Sequence, residues 1–257
     1  MDNGIEVFLS PEVKESLDLG IAQSEPIFEG ADFIICVGGD GTFLKAARRA
    51  FTLNKPVLGI NRGTVGFLAE VETSEIDQAI DKVLAGEYTI EPRMVLEAEV
   101  IRDGKKVYGG YAINDAVVTR AAISRVLRVR INVDGKFADS FGGDGVIISS
   151  PTGSTGYTLA AGGPIVQPDM RLMLVSPICP HILYSRTFVV SESKKVSVSI
   201  ASDENVDAMI TLDGQEGFPM KPNDIVNIKA AECSVNFASV KDINFYDVLR
   251  AKIRGVN

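Results

Sequence analysis

The tetrapeptide Gly-Gly-Asp-Gly occurs twice in the chain, at residues 38–41 and at residues 142–145. The first copy follows an apolar run at residues 33–37 and leads into a helical pattern that begins at Thr42. A strand, a glycine turn and a helix start present main-chain N–H groups beside the positive end of a helix dipole, which suits a phosphate group. Asp40 lies in the turn, and a carboxylate repels a phosphate unless it handles a proton, a hydroxyl group or a metal ion. The turn therefore indicates phosphate chemistry, with Asp40 as its reactive residue.

A structural interpretation of the same turn is equally compatible with the sequence. A strand-to-helix turn often uses an aspartate to cap the helix, and Asp40 is placed to do so. The motif also differs from the G-x-G-x-x-G of dinucleotide-binding domains and from the G-x-x-x-x-G-K-[ST] of P-loop enzymes. From this motif alone, both interpretations stay open.

A second segment, residues 149–164, combines small hydroxyl side chains and glycines around one tyrosine, Tyr157. It follows the second Gly-Gly-Asp-Gly and an apolar strand pattern at residues 146–148. Glycine lets a main chain approach a ligand closely, hydroxyl groups donate to phosphates and sugars, and a tyrosine ring stacks on a base. The alternative is a surface loop rich in turn residues, but a run of this length is a poor connector inside a β domain. The segment therefore predicts a ligand site.

Two short polar stretches are weaker signals. Asn114 and Asp115 precede a predicted strand at residues 116–118, and an amide beside a carboxylate can grip the two hydroxyl groups of a ribose. On sequence alone, a β-turn is the better interpretation of this pair. The stretch Asp213-Gly214-Gln215 is interpreted as a hairpin turn.

Strands and helices alternate through the first third of the chain. Apolar runs at residues 5–9, 33–37 and 56–60 predict buried strands. One helix lies between the last two strands, and a second helix is expected to have Ser74 as its N-cap and to end at Gly86. This order of elements predicts a parallel sheet.

Near residue 91 the apolar period changes from 3.6 residues to 2. Apolar and polar side chains alternate at residues 96–100, 127–133 and 196–200, and Asp-Gly pairs supply tight turns. This pattern predicts strands with one buried face and one wet face.

A chain of 257 residues is long enough for two domains. We expect an α/β N-terminal domain with a parallel sheet, residues 1–90, and a larger all-β C-terminal domain, residues 91–240. The tail, residues 241–257, returns to helical spacing and is expected to form a C-terminal helix that packs back on the first domain.

Composition and charge exclude several classes of function. The formal net charge of −8 at pH 7 argues against a nucleic-acid partner, and no apolar run approaches the ~18 residues of a membrane span. Cys36, Cys179 and Cys233 are scattered, so we expect no disulfide framework, no zinc site and a reducing, cytoplasmic compartment. The single histidine, His181, excludes a His-rich metal site, and it is expected either to approach the ligand or to satisfy buried carbonyl groups.

Taken in order, these segments resemble the NAD kinases. The resemblance rests on Gly-Gly-Asp-Gly-Thr at residues 38–42, on the pair Asn114-Asp115, and on the block at residues 144–164. The stretches Asn61-x-Gly63-x-x-Gly66-Phe67-Leu68 and Pro177-Ile178-x-Pro180-His181 also match the family. The resemblance covers essentially the whole chain, and the long glycine and hydroxyl block is its most specific part.

This resemblance implies phosphoryl transfer from ATP, or in some members from inorganic polyphosphate, to the 2′-hydroxyl of the adenosine ribose of NAD. It implies a divalent metal ion (Mg²⁺) that arrives with ATP, no organic prosthetic group, and a homodimer or homotetramer. Asp40 would orient the 2′-hydroxyl group and accept its proton late, because a loose transition state needs little early deprotonation.

The resemblance also assigns binding residues by position. Those implied for the phosphoryl donor are Gly38, Gly39, Gly41 and Thr42. Those implied for NAD are Asp40, Gly41, Lys45, Asn114, Asp115, Arg125, Asp144, Thr155, Gly156, Tyr157, Thr158, Leu159, Ala160 and Gln215. Within this set, Asn114 and Asp115 would hold the nicotinamide-side ribose or the amide, and Tyr157 would stack on a base.

Two other functions stay open on the sequence. A lipid or sugar kinase shares the Gly-Gly-Asp-Gly-Thr motif, although it leaves residues 149–164 unexplained. A non-catalytic sensor of NAD or NADP would share most of the binding residues. Asp40 separates these hypotheses, because only turnover requires a proton acceptor.

Overall fold

The computed structural model describes residues 4–9, 30–63, 66–121, 126–182, 184–200, 207–242 and 244–254. Within this part, the chain forms one mixed sheet with helices, followed by two larger antiparallel sheets. The expected combination of an α/β part and a larger β part is therefore confirmed. Among the described residues, no helix is both long enough and apolar enough to cross a membrane.

The first sheet is built around the predicted β-α-β unit. Strand β1 (Ile34–Val37) leads into helix α1 (Asp40–Leu53), and strand β2 (Val57–Asn61) pairs parallel with β1. Strand β3 (Val71–Glu72) also pairs parallel with β2. Cys36 is buried in β1, as expected for a packing residue.

Two further strands complete this sheet. Strand β4 (Thr89–Arg93) forms an antiparallel edge, and β17 (Val235–Ser239) lies between β4 and β2 and is parallel to β2. Phe237 of β17 meets Phe43 of α1 edge to face, with ring centroids 4.8 Å apart. The sheet therefore takes one of its inner strands from a segment almost 200 residues later in the chain.

The second helix, α2 (Ile76–Ala85), starts differently from the prediction. A 3₁₀ turn (Thr73–Glu75) precedes it, and the Glu75 carboxylate accepts the main-chain N–H of Glu72. Ser74 lies inside this turn, so the prediction that it is the N-cap is wrong. The N-cap of the turn is Glu72, two residues earlier, and the side chains of Glu72 and Glu75 each accept the main-chain N–H of the other. Gly86 ends α2 in the left-handed conformation, as predicted.

The predicted strand at residues 5–9 is also wrong. Residues 4–9 form no strand, and Ile5 and Val7 are 42% and 56% exposed. An alternation of apolar residues makes a strand only where a neighbouring strand supplies hydrogen-bond partners.

The β part contains two six-stranded antiparallel sheets, counted over the described residues. The strands are β5 (Leu96–Arg102), β6 (Lys105–Ala112), β7 (Asp115–Arg120), β8 (Leu127–Val133), β9 (Lys136–Gly143), β10 (Gly145–Ser149), β11 (Leu172–Ile178), β12 (Phe188–Ser191), β13 (Val196–Ile200), β14 (Ala208–Leu212), β15 (Glu216–Met220) and β16 (Ile225–Ala230). One sheet has the order β12-β11-β10-β7-β14-β15, and the other has the order β6-β5-β16-β13-β8-β9.

The inner faces of the two sheets share one apolar core. Leu96 and Val129 come from one sheet, Val146 and Ile148 come from the other, and all four are fully buried. Leu96 and Val129 occupy apolar positions of the predicted alternation, so the period-2 pattern correctly identified the core face of that sheet.

Short elements interrupt the strands at the places that matter for function. Residues 149–164, predicted as a ligand segment, fold into a 3₁₀ turn (Thr152–Thr155) and a one-turn helix, α3 (Tyr157–Ala160). The three predicted Asp-Gly turns, including that of Asp213 and Gly214, have positive φ at both residues, as two-residue hairpins require.

The tail forms the expected helix, α4 (Phe245–Arg254). The Tyr246 hydroxyl group donates to the side chain of Gln167, with an O–O distance of 3.0 Å. The docking of this helix on the first domain and the domain limits at residues 90 and 240 stay predictions.

Candidate active site

The first Gly-Gly-Asp-Gly turn places its aspartate inside the helix. Gly39 is the N-cap of α1 and Asp40 is its first helical residue, so the interpretation of Asp40 as a capping residue is wrong. The two carboxylate oxygens of Asp40 instead accept the main-chain N–H groups of Phe67, at 3.0 Å, and of Leu68, at 3.2 Å. Asp40 is half-buried at the helix start with a fixed orientation.

The glycines of this turn differ in what surrounds them. A Cβ atom built on Gly39 or Gly41 would meet no protein atom within 4 Å, whereas one on Gly38 would lie 2.7 Å from Thr42. Gly41 and Thr42 are exposed, and Lys45 is exposed one turn further along α1. The start of this helix is therefore open to a ligand and presents its positive dipole end.

The second Gly-Gly-Asp-Gly has different surroundings. It joins β9 to β10, and a Cβ atom on Gly145 would lie 2.2 Å from the carbonyl oxygen of Val118. One on Gly143 would lie 2.8 Å from the carbonyl oxygen of Ile178. These glycines are needed because neighbouring strands approach closely. The same tetrapeptide therefore forms an open helix start at residues 38–41 and a packed junction between strands at residues 142–145.

Asp144, in this junction, faces Tyr157. The Arg120 guanidinium forms an ion pair with the Asp144 carboxylate at 3.1 Å. Burial raises the pKa of Tyr157, and the nearby Cys179, Asp144 and Asp115 raise it further. Tyr157 is 46% exposed, so part of its side chain is open to a ligand.

The Asn114-Asp115 pair is held by a residue from a distant hairpin. Asp213 accepts the main-chain N–H groups of Ile113 at 3.0 Å, Asn114 at 2.7 Å and Asp115 at 3.2 Å. The Asn114 carbonyl oxygen accepts the N–H of Ser150 at 2.9 Å. The pair is thus not a simple β-turn but a main-chain junction fixed from two sides.

The 149–164 segment packs directly on this junction. A Cβ atom on Gly153 would lie 2.2 Å from the carbonyl oxygen of Asn114, so only glycine allows this approach. The side-chain oxygen of Asn114 and the hydroxyl groups of Thr152 and Thr158 are buried and have no hydrogen-bond partner in the described part of the chain. Buried polar atoms are normally paired, so three unpaired ones in one region favour the interpretation of this region as a site for a polar ligand.

Two neighbouring carboxyl groups, those of Asp115 and Asp213, determine the electrostatics of the junction. Burial raises the pKa of Asp115 to about 7, and the charge of Asp213 adds to this increase. Burial also raises the pKa of Asp213, while its N–H donors and the Arg48 guanidinium act in the opposite direction. A ligand with hydroxyl donors or a positive charge would relieve this excess of negative charge.

The same hairpin connects the junction to the first glycine turn. The Gln215 side-chain amide donates to the carbonyl oxygen of Gly41 at 3.3 Å. Arg48, on α1, donates to the carbonyl oxygen of Leu212 at 3.3 Å and forms an ion pair with Glu216 at 2.7 Å. The hairpin therefore contacts the helix start on one side and the Asn114-Asp115 junction on the other.

The structure brings together most residues predicted for the site. Two groups form: the helix start with Asp40 and Gly41, and the junction with Asp115, Asp144 and Tyr157, with Gln215 linking them. Thr155, Gly156, Leu159 and Ala160 are neighbours of Tyr157 in the same segment, and Thr158 is buried. Arg125 lies outside the described residues. His181 is exposed, so it does not serve to satisfy buried carbonyl groups with its side chain.

Sequence reasoning missed three residues that shape the site: Asp213, Arg48 and Gly66. Asp213 has the sequence signal of an ordinary Asp-Gly turn, which it also forms. Arg48 is one of several cationic residues of α1, and nothing in the sequence distinguishes it from Lys45 and Arg49. Gly66 lay in a stretch that matched the family, and only its approach to Asp40 reveals its place.

Among the described residues, no group of three or more His, Cys, Asp and Glu side chains is arranged to hold a metal ion. Asp115 and Asp213 form a pair without a third carboxylate, thiol or imidazole beside them in the described part of the chain, and the Asp213 carboxylate already accepts three main-chain N–H groups. The residues present therefore do not form a metal site of their own.

Two family models match this chain. The ATP-NAD kinase N-terminal domain matches residues 13–88, and the ATP-NAD kinase C-terminal domain matches residues 113–240. Together they cover more than half of the chain, and both regions of the candidate site lie within the matched residues.

Curated relatives agree with the family models. An NAD kinase of Acetivibrio thermocellus is 41% identical over 242 residues, which are 93% of this chain and 84% of that protein. An NAD kinase of Thermoanaerobacter sp. (strain X514) is 45% identical over 231 residues, 90% of this chain and 81% of that protein.

Two solved structures have the same fold. Yeast NADH kinase complexed with NADH superposes with a TM-score of 0.83 over 98% of this chain and 79% of the yeast chain, at 24% identity. An NAD kinase from Archaeoglobus fulgidus in complex with ATP gives a TM-score of 0.72 over 96% of this chain and 94% of that chain, at 27% identity.

Proposed function

Because the chain belongs to the NAD kinase family, we propose that it transfers a phosphoryl group from ATP to the 2′-hydroxyl of the adenosine ribose of NAD, making NADP. One observation carries this proposal: the hairpin of Asp213 and Gln215 links the open helix start to the Asn114-Asp115 junction. A helix start suited to phosphates and a junction suited to a ribose are thus held side by side.

The first role is that of Asp40. The 2′-oxygen of NAD forms a bond to the terminal phosphorus of the donor, and the bond from that phosphorus to the leaving oxygen of ADP breaks. The 2′-hydroxyl proton passes to the Asp40 carboxylate as the new bond forms. The carboxylate is half-buried and already oriented by two N–H groups, which supports a role in positioning the hydroxyl group.

The phosphoryl donor binds at the start of α1. The assigned residues are Gly38, Gly39, Gly41 and Thr42. Gly39 and Gly41 offer main-chain N–H groups at the positive end of the helix dipole, whereas the N–H groups of Gly38 and Thr42 already donate to the carbonyl oxygens of Ile60 and Gly39. The open space beside Gly39 and Gly41 supports this assignment, because no atom of the described residues lies within 4 Å of a Cβ atom built on either glycine. The Archaeoglobus fulgidus relative was solved in complex with ATP, and inorganic polyphosphate is a second donor of the same chemistry.

NAD binds at the junction. The unpaired side-chain oxygen of Asn114 accepts a hydroxyl group of the nicotinamide-side ribose or its amide, and Asp115 accepts another. Tyr157 stacks on a base through its exposed face, and the unpaired hydroxyl of Thr158 gains a partner. The remaining assigned contacts are Lys45, Arg125, Asp144, Thr155, Gly156, Leu159, Ala160 and Gln215, with Asp40 and Gly41 at the reacting end.

The divalent metal ion belongs with the donor. Mg²⁺ in kinase sites is bound mainly by substrate phosphates, water and one or two carboxylates. Since the described residues form no metal site of their own, the ion is part of the Mg–ATP substrate.

Two further proposals concern the assembly and its surroundings. A homodimer or homotetramer would allow Arg125 to reach the dinucleotide of a neighbouring subunit. A reducing cytoplasm suits the free thiols of Cys179 and Cys233, both of which are exposed.

A coupled assay tests the function. The purified protein is incubated with Mg²⁺, ATP and NAD, and any product is reduced by an NADP-specific dehydrogenase while absorbance is followed. NADP formation by the wild-type protein and its loss in Asp40→Asn, with NAD affinity nearly unchanged, is the expected result. A protein that binds NAD but never forms NADP would be a sensor, and phosphorylation of a lipid or sugar instead would make it another kinase.

A further inference from the structure

The carboxylate of Asp40 rests on a short main-chain segment from a different part of the chain. Its Oδ2 accepts the N–H of Phe67 at 3.0 Å, and its Oδ1 accepts the N–H of Leu68 at 3.2 Å. These donors lie 27 and 28 residues after Asp40 in sequence, so the contact is tertiary and independent of helix α1.

Gly66, the residue before these donors, leaves room for the carboxylate. A Cβ atom on Gly66 would lie 1.9 Å from Oδ1 of Asp40 and 2.8 Å from its Cγ. The main chain of Gly66 does not have a positive φ, so alanine is conformationally acceptable there. The obstacle to a side chain is the Asp40 carboxylate itself.

The segment that carries these groups is anchored to the first sheet. The next residue, Ala69, is buried and lies so close to β2 that a Cβ atom on Gly59 would be 2.8 Å from its Cα. Glu70 accepts the Ser239 hydroxyl group at 2.8 Å and the N–H of Val240 at 2.9 Å. The N–H donors of residues 67 and 68 are therefore fixed relative to the strands.

We propose that Gly66, Phe67 and Leu68 form a carboxylate seat that positions Asp40 for phosphoryl transfer, with Gly66 as the residue that makes the seat possible. This inference rests on the proposed role of Asp40. Each N–H group occupies one lone pair of a carboxylate oxygen and leaves other lone pairs for the substrate hydroxyl group. The contact of the seat with Asp40 uses main-chain N–H groups, so these residues position the carboxylate and are not catalytic residues themselves.

The seat explains why a helix start without other support can orient a reacting carboxylate. An aspartate in the first turn of a helix has free side-chain torsions and faces solvent unless another element fixes it. Placing a catalytic group about 1 Å away from its productive position can cost about 10²-fold in rate. Two N–H donors from an anchored segment remove that freedom.

The test compares two alanine substitutions in the same loop. Gly66→Ala places a methyl group against the Asp40 carboxylate, whereas Gly63→Ala adds the same group where no atom of the described residues lies within 4 Å. We expect Gly66→Ala to lower kcat by about 10- to 100-fold while KM for NAD and for ATP changes less than about twofold. Gly63→Ala should retain wild-type values. Equal kcat values for the two variants would overturn the inference.

A second measurement covers the case in which Gly66→Ala also destabilises the protein. If the methyl group clashes with the carboxylate alone, Asp40→Ala combined with Gly66→Ala should recover the melting temperature of Asp40→Ala. If the double variant stays as unstable as Gly66→Ala, the methyl group disturbs something other than Asp40, and the inference is wrong.

Coupling to Asp40→Asn separates this inference from the proposed function. If Asp40→Asn keeps near wild-type turnover, the role of Asp40 as proton acceptor fails. If Asp40→Asn is inactive but Gly66→Ala is as active as Gly63→Ala, the seat fails and the role of Asp40 stands. If both the role of Asp40 and the seat are correct, adding Gly66→Ala to Asp40→Asn should lower the residual single-turnover rate by less than about twofold, because the two changes affect one group.

Discussion

The Asp213 carboxylate accepts the main-chain N–H of Asn114 at 2.7 Å, although 99 residues separate the two in sequence. Asp213 is the first residue of a hairpin turn, and the same hairpin reaches Gly41 through Gln215. A turn at the edge of one sheet thus sets the main-chain position of the residue proposed to hold a ribose. The acceptor site and the donor site share this hairpin as a common support.

The first prediction concerns Asp213. Asp213→Ala leaves the N–H groups of residues 113–115 without their acceptor, so we expect the free energy of unfolding to fall by about 2–4 kcal/mol and NAD binding to weaken. Asp213→Asn should have a smaller effect, because the amide oxygen still accepts from Asn114 and asparagine tolerates positive φ. Urea unfolding and NAD titration measure the two effects.

Asp103→Ala is the matched control for this prediction. Asp103 opens an equivalent Asp-Gly turn with φ 50°, against 53° for Asp213, so it reports the cost of alanine in that conformation alone. If Asp213→Ala destabilises no more than Asp103→Ala, the contact to residues 113–115 contributes nothing to stability.

The second prediction concerns the pH dependence of stability through Asp115. The pKa of Asp115 in the folded protein is about 7, above the value of about 4 in an unfolded chain. The native state therefore binds more protons between these pH values, and its stability falls as pH rises through this window. Asp115→Asn removes this titration, so its stability relative to wild type should improve from pH 5 to pH 8 by about 1–3 kcal/mol.

Denaturant unfolding at both pH values measures this difference, and Asp169→Asn, at an exposed carboxyl group, is the control. An advantage of Asp115→Asn that is the same at pH 5 and at pH 8 would mean that Asp115 does not titrate in this range.

The third prediction separates stability from activity at Gly41. Alanine in the first turn of α1 meets no protein atom within 4 Å, so Gly41→Ala should leave the melting temperature unchanged or raise stability by up to about 1 kcal/mol. The methyl group would occupy the space assigned to donor phosphates, so KM for ATP should increase several-fold. Thermal unfolding and steady-state kinetics measure both quantities.

Gly38→Ala shows the opposite pattern, because its methyl group would lie 2.7 Å from Thr42. It should lower the melting temperature. An unchanged KM for ATP in Gly41→Ala would place the phosphates elsewhere.

The fourth prediction uses the unpaired hydroxyl group of Thr158. Thr158→Val removes a buried polar group without a partner, so the ligand-free protein should be as stable as wild type or more stable by about 1 kcal/mol. If NAD supplies the missing partner, the variant should bind NAD about fivefold more weakly, which corresponds to about 1 kcal/mol. Calorimetric titration of wild type and variant gives both affinities.

Thr155→Val is the contrast, because the Thr155 hydroxyl already donates to the Thr152 carbonyl at 3.3 Å. Thr155→Val should therefore be less stable than wild type, in contrast to Thr158→Val. Equal NAD affinity of Thr158→Val and wild type would remove the hydroxyl of Thr158 from the site.

Local patterns in the sequence predicted much of the fold. Alternation at residues 127–133 fixed both the strand and its buried face, and Gly86 fixed the end of a helix. They failed where structure depends on distant partners. Residues 5–9 are an apolar run that pairs with no strand of the described residues, and nothing local in residues 235–239 indicates that this strand joins the first sheet.

The site shows the same division. The open helix start was predictable because strand, glycine turn and helix are consecutive in sequence. The partner of the Asp40 carboxylate was not, because main-chain N–H groups of residues 67 and 68 have no sequence signature. Asp213 looked like a turn residue and is one; its three extra hydrogen bonds depend on where β14 lies relative to β7.

The position of β17 has a consequence for synthesis of the chain. The strand pairs with β2 and β4, so the nascent polypeptide must be translated past residue 239 before the β-α-β unit of β1, α1 and β2 gains its inner neighbour. Until then Phe43 lacks the ring of Phe237, and a ribosome-bound intermediate exposes that apolar surface. Long-range closures of this kind slow folding, and a chain truncated before residue 235 would therefore lose an inner strand of the sheet that holds β1 and β2.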